Sequence, residues 1–196
     1  MPPLPPAPLA LTFDDGPDPR WTPEVLDALR EADARATFFV LAPCAAAHPE
    51  LVERIAEEGH AIGLHAHEHM RHTELDAATG QEDTRRALEV LRGLGVKRPG
   101  LWRTPWGVEA EWTRDVAAAH GLRVVGWNAD THDWRGDRAD AMLAAIADEV
   151  RPGAIVLAHD GLGPGARRDG CEETVALIGP LVALARERGL TAEALA

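Results

Sequence analysis

The sequence is short of the features that would make it a membrane protein, a nucleic-acid binder or a disulfide-stapled module. No run of 18 or more apolar residues occurs, so no segment reads as a membrane span. Basic residues are scarce: Lys and Arg number 20 against 32 Asp and Glu, a formal net charge of -12. That balance disfavours the nucleic-acid backbone, and anionic polymers generally, as partners. There are only two cysteines, Cys44 and Cys171, far apart and in no metal-binding or disulfide spacing, and both are read as reduced structural thiols. The opening MPPLPPAPLA has no basic residue but carries Pro2, Pro3, Pro5, Pro6 and Pro8. Residues 1–8 are therefore expected to be a poorly ordered lead and not a secretory signal, and the expected location is cytoplasmic unless an export leader has been removed. No internal repeat and no linker is visible.

What is present suits one soluble α/β domain over residues 1–196. The hydrophobic fraction is 45% and the charged fraction 27%, and the length allows one sizeable core. Strands are expected at Leu9–Phe13, Ala36–Leu41, Ala61–Leu64, Gly100–Arg103, Leu122–Trp127 and Ala154–Ala158, with a seventh possible after Leu190. Several are continuous apolar runs, the pattern of strands buried on both faces. Helices are expected from Thr22-Pro23 to about Ala32, over PELVERIAEE from Pro49, from about Thr79 to Arg92, Glu109 to His120, Asp137 to Val150, and Cys171 to Arg188. Gly59, Gly121 and Gly189 stand where three of them should stop. Strand–helix alternation of this kind implies a parallel sheet, either doubly wound or closed into a barrel. The glycine-rich DGLGPGARRDG after His159 reads as a mobile loop, with Arg167 and Arg168 solvated.

Residues with chemical capability cluster just past strand C-termini. Asp14 and Asp15 follow the first strand; His65, His67 and His69 follow the third. Arg103 ends the fourth, Asp130 and Asp133 follow the fifth, and His159 and Asp160 follow the sixth. In either parallel architecture these ends share one rim, where active sites are built.

Two local features point to a metal. Four histidines, His65, His67, His69 and His72, crowd into eight positions, and a neutral imidazole ligates zinc and its neighbours well. Two histidines four apart can share an ion if the segment curls, and one carboxylate, from Asp14 or Asp15, would complete a two-His-one-carboxylate face. If the segment stays extended, His65, His67 and His69 share one face instead. The adjacent aspartates then have separate tasks: one binds the ion, while the other stays off it and takes a proton from water.

The motifs TFDDG (12–16), HAHEH (65–69), RTPWG (103–107), DTHDW (130–134) and LAHD (157–160) resemble, in order and spacing, the five motifs of the NodB-homology polysaccharide deacetylases, carbohydrate esterase family 4. The resemblance runs from residue 9 to the last helix and implies a distorted (β/α)7 barrel. It implies Asp15, His65 and His69 as ligands of one divalent cation, zinc first, with cobalt or nickel as alternatives. It makes Asp14 the general base, held by Arg103, and His159 the general acid, oriented and charged by Asp130. The backbone N–H of Trp106 would stabilise the oxyanion, and Trp134 and Leu157 would wall the pocket for the acetyl methyl. The implied reaction is hydrolysis of the acetamide of N-acetylglucosamine-type sugars, in chitin, chito-oligosaccharide or a peptidoglycan-like glycan, to free amine and acetate.

Four departures stand out. Ala66 occupies the place of the hydroxyl residue usual after the first histidine, His67 stands where an aromatic often sits, Glu68 where a small hydroxyl residue is common, and Trp106 replaces a more usual tyrosine. Trp21, Trp106 and Trp134 are candidates for stacking on sugar, with Trp102, Trp112 and Trp127 assigned to the core. Two other functions compete: a metal-dependent deacylase of a small N-acyl metabolite or natural-product intermediate, and a non-catalytic sugar- or metal-binding module. Neither membrane nor nucleic acid is expected as partner, and the size suggests a monomer.

Overall fold

Apolar runs with no polar interruption build the middle of the sheet. In the computed structural model, which describes residues 7–96 and 99–196, the strands are β1 (Ala10–Asp14), β2 (Ala36–Leu41), β3 (Ala61–Ala66), β4 (Leu101–Trp102), β5 (Arg123–Val124), β6 (Ala129–Asp130) and β7 (Ile155–His159). All seven are parallel, in the order β5-β4-β3-β2-β1-β7-β6. The helices between them are α1 (Trp21–Glu31), α2 (Ala42–Ala47), α3 (Pro49–Glu57), α4 (Ala77–Gly93), α5 (Thr113–His120), α6 (Ala139–Ile146) and α7 (Glu172–Glu187). One continuous core joins strand residues such as Leu11, Phe13, Phe38 and Val156 to the inner faces of the helices, for example Leu26 and Leu29 of α1, Leu88 and Leu91 of α4, and Leu181 of α7. Among the described residues no helix is long and apolar enough to cross a membrane. The expected proline-rich lead falls mostly on residues 1–6, outside the described residues.

The sheet curls into a half-barrel, and chain geometry shows why it must. β5 and β6 lie at opposite edges, yet only residues 125–128 separate them. The step from Val124 to Ala129 reaches at most about 18 Å. A flat sheet of this strand count would hold its outer strands about 29 Å apart. The two edges therefore approach each other, and the 125–128 segment bridges the seam.

Four expectations change here. The strand expected over Leu122–Trp127 is divided: β5 ends at Val124, Gly126 breaks the run, and the chain leaves one edge for the other. A glycine inside a strand pattern is the sequence mark of such a bend. The seventh strand is β6, not a strand after Leu190, where a single bridge joins Leu9 and Ala192. The short α2 was not expected; Ala42-Pro43 opens it directly from β2. The loop after His159 is no free excursion, because Gly161 and Gly163 pack against Asp15 so closely that a Cβ on Gly163 would lie 1.9 Å from Asp15 Oδ2.

Candidate active site

Strand pleat and register place the first pair of functional groups. Side chains alternate along a strand, so Thr12 and Asp14 share one face of β1, and Leu157 and His159 share one face of β7. The register sets Thr12 beside Leu157 and Asp14 beside His159, which puts a carboxylate and an imidazole side by side at the C-terminal rim. Asp14 is buried and its Oδ1 accepts from Arg103 Nη1 at 2.9 Å. The guanidinium is fully buried and also donates to Thr12 Oγ1 (2.7 Å), to the Val125 carbonyl (3.3 Å) and to the Gly126 carbonyl (3.0 Å). Asp14 and Arg103 thus meet as the sequence reading expects, and the same guanidinium ties β1 to the segment that bridges the seam.

Asp15 turns away from its neighbour because its backbone is left-handed (φ 74°). Its Oδ1 lies 3.3 Å from Nε2 of His65 and 3.3 Å from Nε2 of His69, and the three ligand atoms fall within 4.8 Å of one another. His65 is the penultimate residue of β3. The chain bends at His67 and Glu68, which brings His69 back to the same point. The bend removes the extended alternative: His67 Nδ1 lies 3.4 Å from Glu68 Oε1, away from the cluster. His72 is buried elsewhere, stacked on Trp112 and sharing a hydrogen bond with Thr113 Oγ1 at 2.9 Å; burial pushes it down to about 4.

The chemistry of this donor set fits a divalent cation. His65 Nδ1 lies 2.6 Å from the Arg103 carbonyl. A carbonyl only accepts, so Nδ1 carries the proton and a neutral His65 turns its Nε2 lone pair toward Asp15. Asp15 Oδ1 is buried and has no hydrogen-bond partner. An orphaned carboxylate oxygen facing imidazole lone pairs calls for positive charge between them. Without an ion, the positive charge must come from the histidines: burial alone would raise Asp15, but His65 and His69, acting as hydrogen-bond donors, outweigh it and hold the carboxyl well below its usual range. A bound cation would take the place of those donated protons and turn the same nitrogens into ligands.

On the other flank, His159 Nδ1 lies 2.7 Å from Asp133 Oδ1, and the His159 N–H donates to Asp133 Oδ2 at 2.9 Å. This corrects the expectation that Asp130 orients His159. Asp130 sits opposite Leu157 in the β6–β7 register, two residues or about 7 Å short of His159. Its Oδ1 instead accepts from the His132 N–H at 2.8 Å, and the resulting turn carries Asp133 over His159. Burial alone would lower His159, yet the Asp133 carboxylate overrides it and pushes the imidazole up to about 9. Asp133 is itself clasped by Thr174 Oγ1 (2.7 Å) and by Arg168 (3.0 Å). Arg168 is therefore not solvated: it also donates to the His159 carbonyl at 3.1 Å.

Asp14, Asp15, His65, His69, Asp130 and His159 line a pocket of about 350 Å³, walled by Trp106, Trp127, Trp134, Leu157 and the 161–166 loop; Arg103 and Asp133 are buried behind this lining. Trp106 and Trp134 are both at the pocket, each with a guanidinium over its ring: Arg71 at 4.3 Å from Trp106, Arg135 at 5.0 Å and Arg167 at 5.5 Å from Trp134. Trp21 is not a sugar platform, since it is buried at the start of α1, and Trp127 faces the pocket instead of the core. Asp15, Trp106 and His132 are three of the four non-glycine residues with positive φ among those described. Backbone strain of this kind gathers at functional sites.

Sequence reasoning missed the contributions of Asp133, Arg168 and Thr12. Asp133 was visible as one of two acids in DTHDW, and only the turn at His132 decides between them. No local pattern marks Arg168, whose partners Thr174 and His159 lie on α7 and β7 and whose partner Asp133 is far away in sequence. Similarity to known proteins agrees with this geometry. The family model described as polysaccharide deacetylase matches residues 2–125. A chitooligosaccharide deacetylase of Sinorhizobium fredii is 37% identical over 187 residues, covering 91% of this chain and 86% of that protein. A peptidoglycan-N-acetylglucosamine deacetylase of Bacillus cereus is 34% identical, covering 89% of this chain and 62% of that protein. The solved family 4 carbohydrate esterase from Streptomyces lividans, in complex with acetate, superposes with a TM-score of 0.85 at 31% identity, covering 95% of this chain and 91% of that one. Over nearly its whole length, then, this chain belongs to the polysaccharide deacetylases of carbohydrate esterase family 4.

Proposed function

We propose that this chain is a zinc-dependent N-deacetylase that hydrolyses the acetamide of N-acetylglucosamine units in a chito-oligosaccharide, releasing acetate and leaving a free amine. The observation that supports it most is the convergence of Asp14 with Arg103, of Asp15 with His65 and His69, and of His159 with Asp133 on one pocket of about 350 Å³. That volume suits a single sugar unit. Relatives named as chitooligosaccharide deacetylases share 34% to 38% identity with this chain over most of their length.

Asp15, His65 and His69 would hold the cation, which when bound supplies Lewis acidity to polarise the carbonyl and acidify water. The steps fall to the chain's own groups. Asp14, fixed through Oδ1 by Arg103, takes a proton from the attacking water as its oxygen bonds to the carbonyl carbon. The Trp106 N–H, carried on a left-handed residue, faces the developing oxyanion. His159, kept protonated by Asp133, gives its proton to the nitrogen as the C–N bond breaks. Trp134 and Leu157 shape the space for the methyl group and exclude water from it.

Acetate release is the test, measured on chito-oligosaccharides, on polymeric chitin and on small N-acetyl compounds. Turnover confined to the oligosaccharides supports this reading. Turnover confined to small N-acyl compounds would transfer the site to the metabolite deacylase alternative. No hydrolysis of any of them, with metal bound, would leave a binding module.

A further inference from the structure

Ala66 leaves the family's usual hydroxyl missing between the two histidine ligands, yet the turn that joins them is tightly held. We propose that Asp83, on α4, is a positioning residue of the metal site that fixes this turn and thereby aims His69. The inference rests on the metal reading of Asp15, His65 and His69. Asp83 Oδ2 accepts from the His67 N–H at 3.0 Å and Asp83 Oδ1 from the Glu68 N–H at 2.7 Å. One carboxylate thus occupies two successive amides midway between the ligands, and these are charge-assisted bonds, stronger than neutral ones.

His69 depends on this clamp more than His65 does. His65 lies within β3, and its ring is gripped directly through Nδ1 by the Arg103 carbonyl at 2.6 Å. His69 lies beyond the strand. Its Nδ1 is buried without a hydrogen-bond partner, its ring packs edge-on against Trp106 with centroids 4.2 Å apart and tilted against His65 at 5.1 Å, and its one polar neighbour is Asp15 at 3.3 Å, on the ligand side. With no polar group holding the ring from behind, the backbone sets its direction. That backbone is the turn pinned by Asp83 and closed by the Met70 N–H on the Glu68 carbonyl at 2.7 Å. α4 is a firm mount: Asp76 caps its first turn, Gly80 fits against the Trp112 ring, and Ala87, Leu88 and Leu91 are buried in the core. An orienting group one shell out from a metal commonly governs affinity as well as geometry.

The test is Co²⁺ titration of the full chain, read by the visible absorption of the bound ion and by competition with a chelating dye. Asp83→Asn keeps the size but can satisfy only one of the two N–H groups; Asp83→Ala satisfies neither. Both are expected to bind Co²⁺ about 10- to 100-fold more weakly than wild type, with an altered spectrum. Asp76→Ala serves as control. It weakens the same helix by removing its cap, and is expected to lower Tm while leaving Co²⁺ affinity unchanged. If Asp83→Ala fails to fold, Asp83→Asn decides. Wild-type affinity and spectrum in Asp83→Asn, or an equal loss of affinity in Asp76→Ala, would overturn the proposal. A wild-type chain that binds no Co²⁺ would instead sink the metal reading beneath it.

Discussion

Replacing Asp133 with Asn should move the alkaline limb of the deacetylation profile, and replacing Asp130 should not. The Asp133 carboxylate, with smaller contributions from Asp14 and Asp15, raises His159 from its ordinary 6.5 to about 9 against the opposing effect of burial. That difference corresponds to about 3 kcal/mol of preference for the imidazolium. A proton donor works only while protonated. A group that titrates at about 9 is nearly all protonated at pH 7, whereas one returned to 6.5 is about a quarter protonated. The expected loss from protonation alone is then about 4-fold at pH 7 and about 80-fold at pH 8.5, with burial pushing it further. The sign is definite: the variant's limb moves to lower pH, and its deficit grows as pH rises. The assay is kcat for acetate release between pH 5.5 and 9.5 for wild type, Asp133→Asn and Asp130→Asn, all loaded with the same metal so that its charge affects each profile alike. Parallel profiles for wild type and Asp133→Asn, or a shifted limb in Asp130→Asn, would refute the assignment of Asp133 to His159.

The remaining expectations are simpler. Asp14→Asn should bind Co²⁺ like wild type and lose about 100- to 10,000-fold in kcat; a fully active variant would remove Asp14 from the role of base. Chelation should abolish hydrolysis, and added Zn²⁺ or Co²⁺ should restore it; an unchanged rate in EDTA would count decisively against a metal enzyme. Gly163→Ala would drive a methyl to within 1.9 Å of Asp15 Oδ2, so its Co²⁺ affinity should fall, as a competition titration would show. Asp160 is buried, and desolvation raises its carboxyl to about 7 despite the Thr22 hydroxyl bond at 2.5 Å. Its folded form therefore holds a proton that the unfolded chain releases near 3.8, and stability drains away as pH climbs between those two values. In the metal-free protein Asp160→Asn should cancel a penalty of about 4 kcal/mol at pH 8 and less than half of that at pH 5. Urea melts at both pH values check this, and an equal effect at both would contradict it.

The sequence made much of this molecule readable, for identifiable reasons. β1, β2, β3 and β7 are apolar runs flanked by turn residues, so their positions followed from composition, and their C-terminal residues announced the rim. The metal cluster was legible because Asp15, His65 and His69 belong to compact motifs. Errors arose where a decision depended on distant partners. Leu122 to Trp127 has strand composition throughout, but which sheet edge each half joins is set by the curl of the whole sheet. Asp130 and Asp133 are alike in type, and only the β6–β7 register with the turn at His132 selects the second. Arg168 and Asp83 act through groups on other elements, and no spacing rule foretells that.

Arg103 joins two demands that most proteins assign to different side chains. Two of its contacts hold the 125–128 segment that bridges the seam of the half-barrel, and two reach β1, one of them the residue proposed to deprotonate water. Any change that tunes the base through its arginine also loosens the fastening of the domain. Evolution can therefore adjust substrate preference at the tryptophan rim and the glycine loop far more freely than it can retune proton transfer at this point.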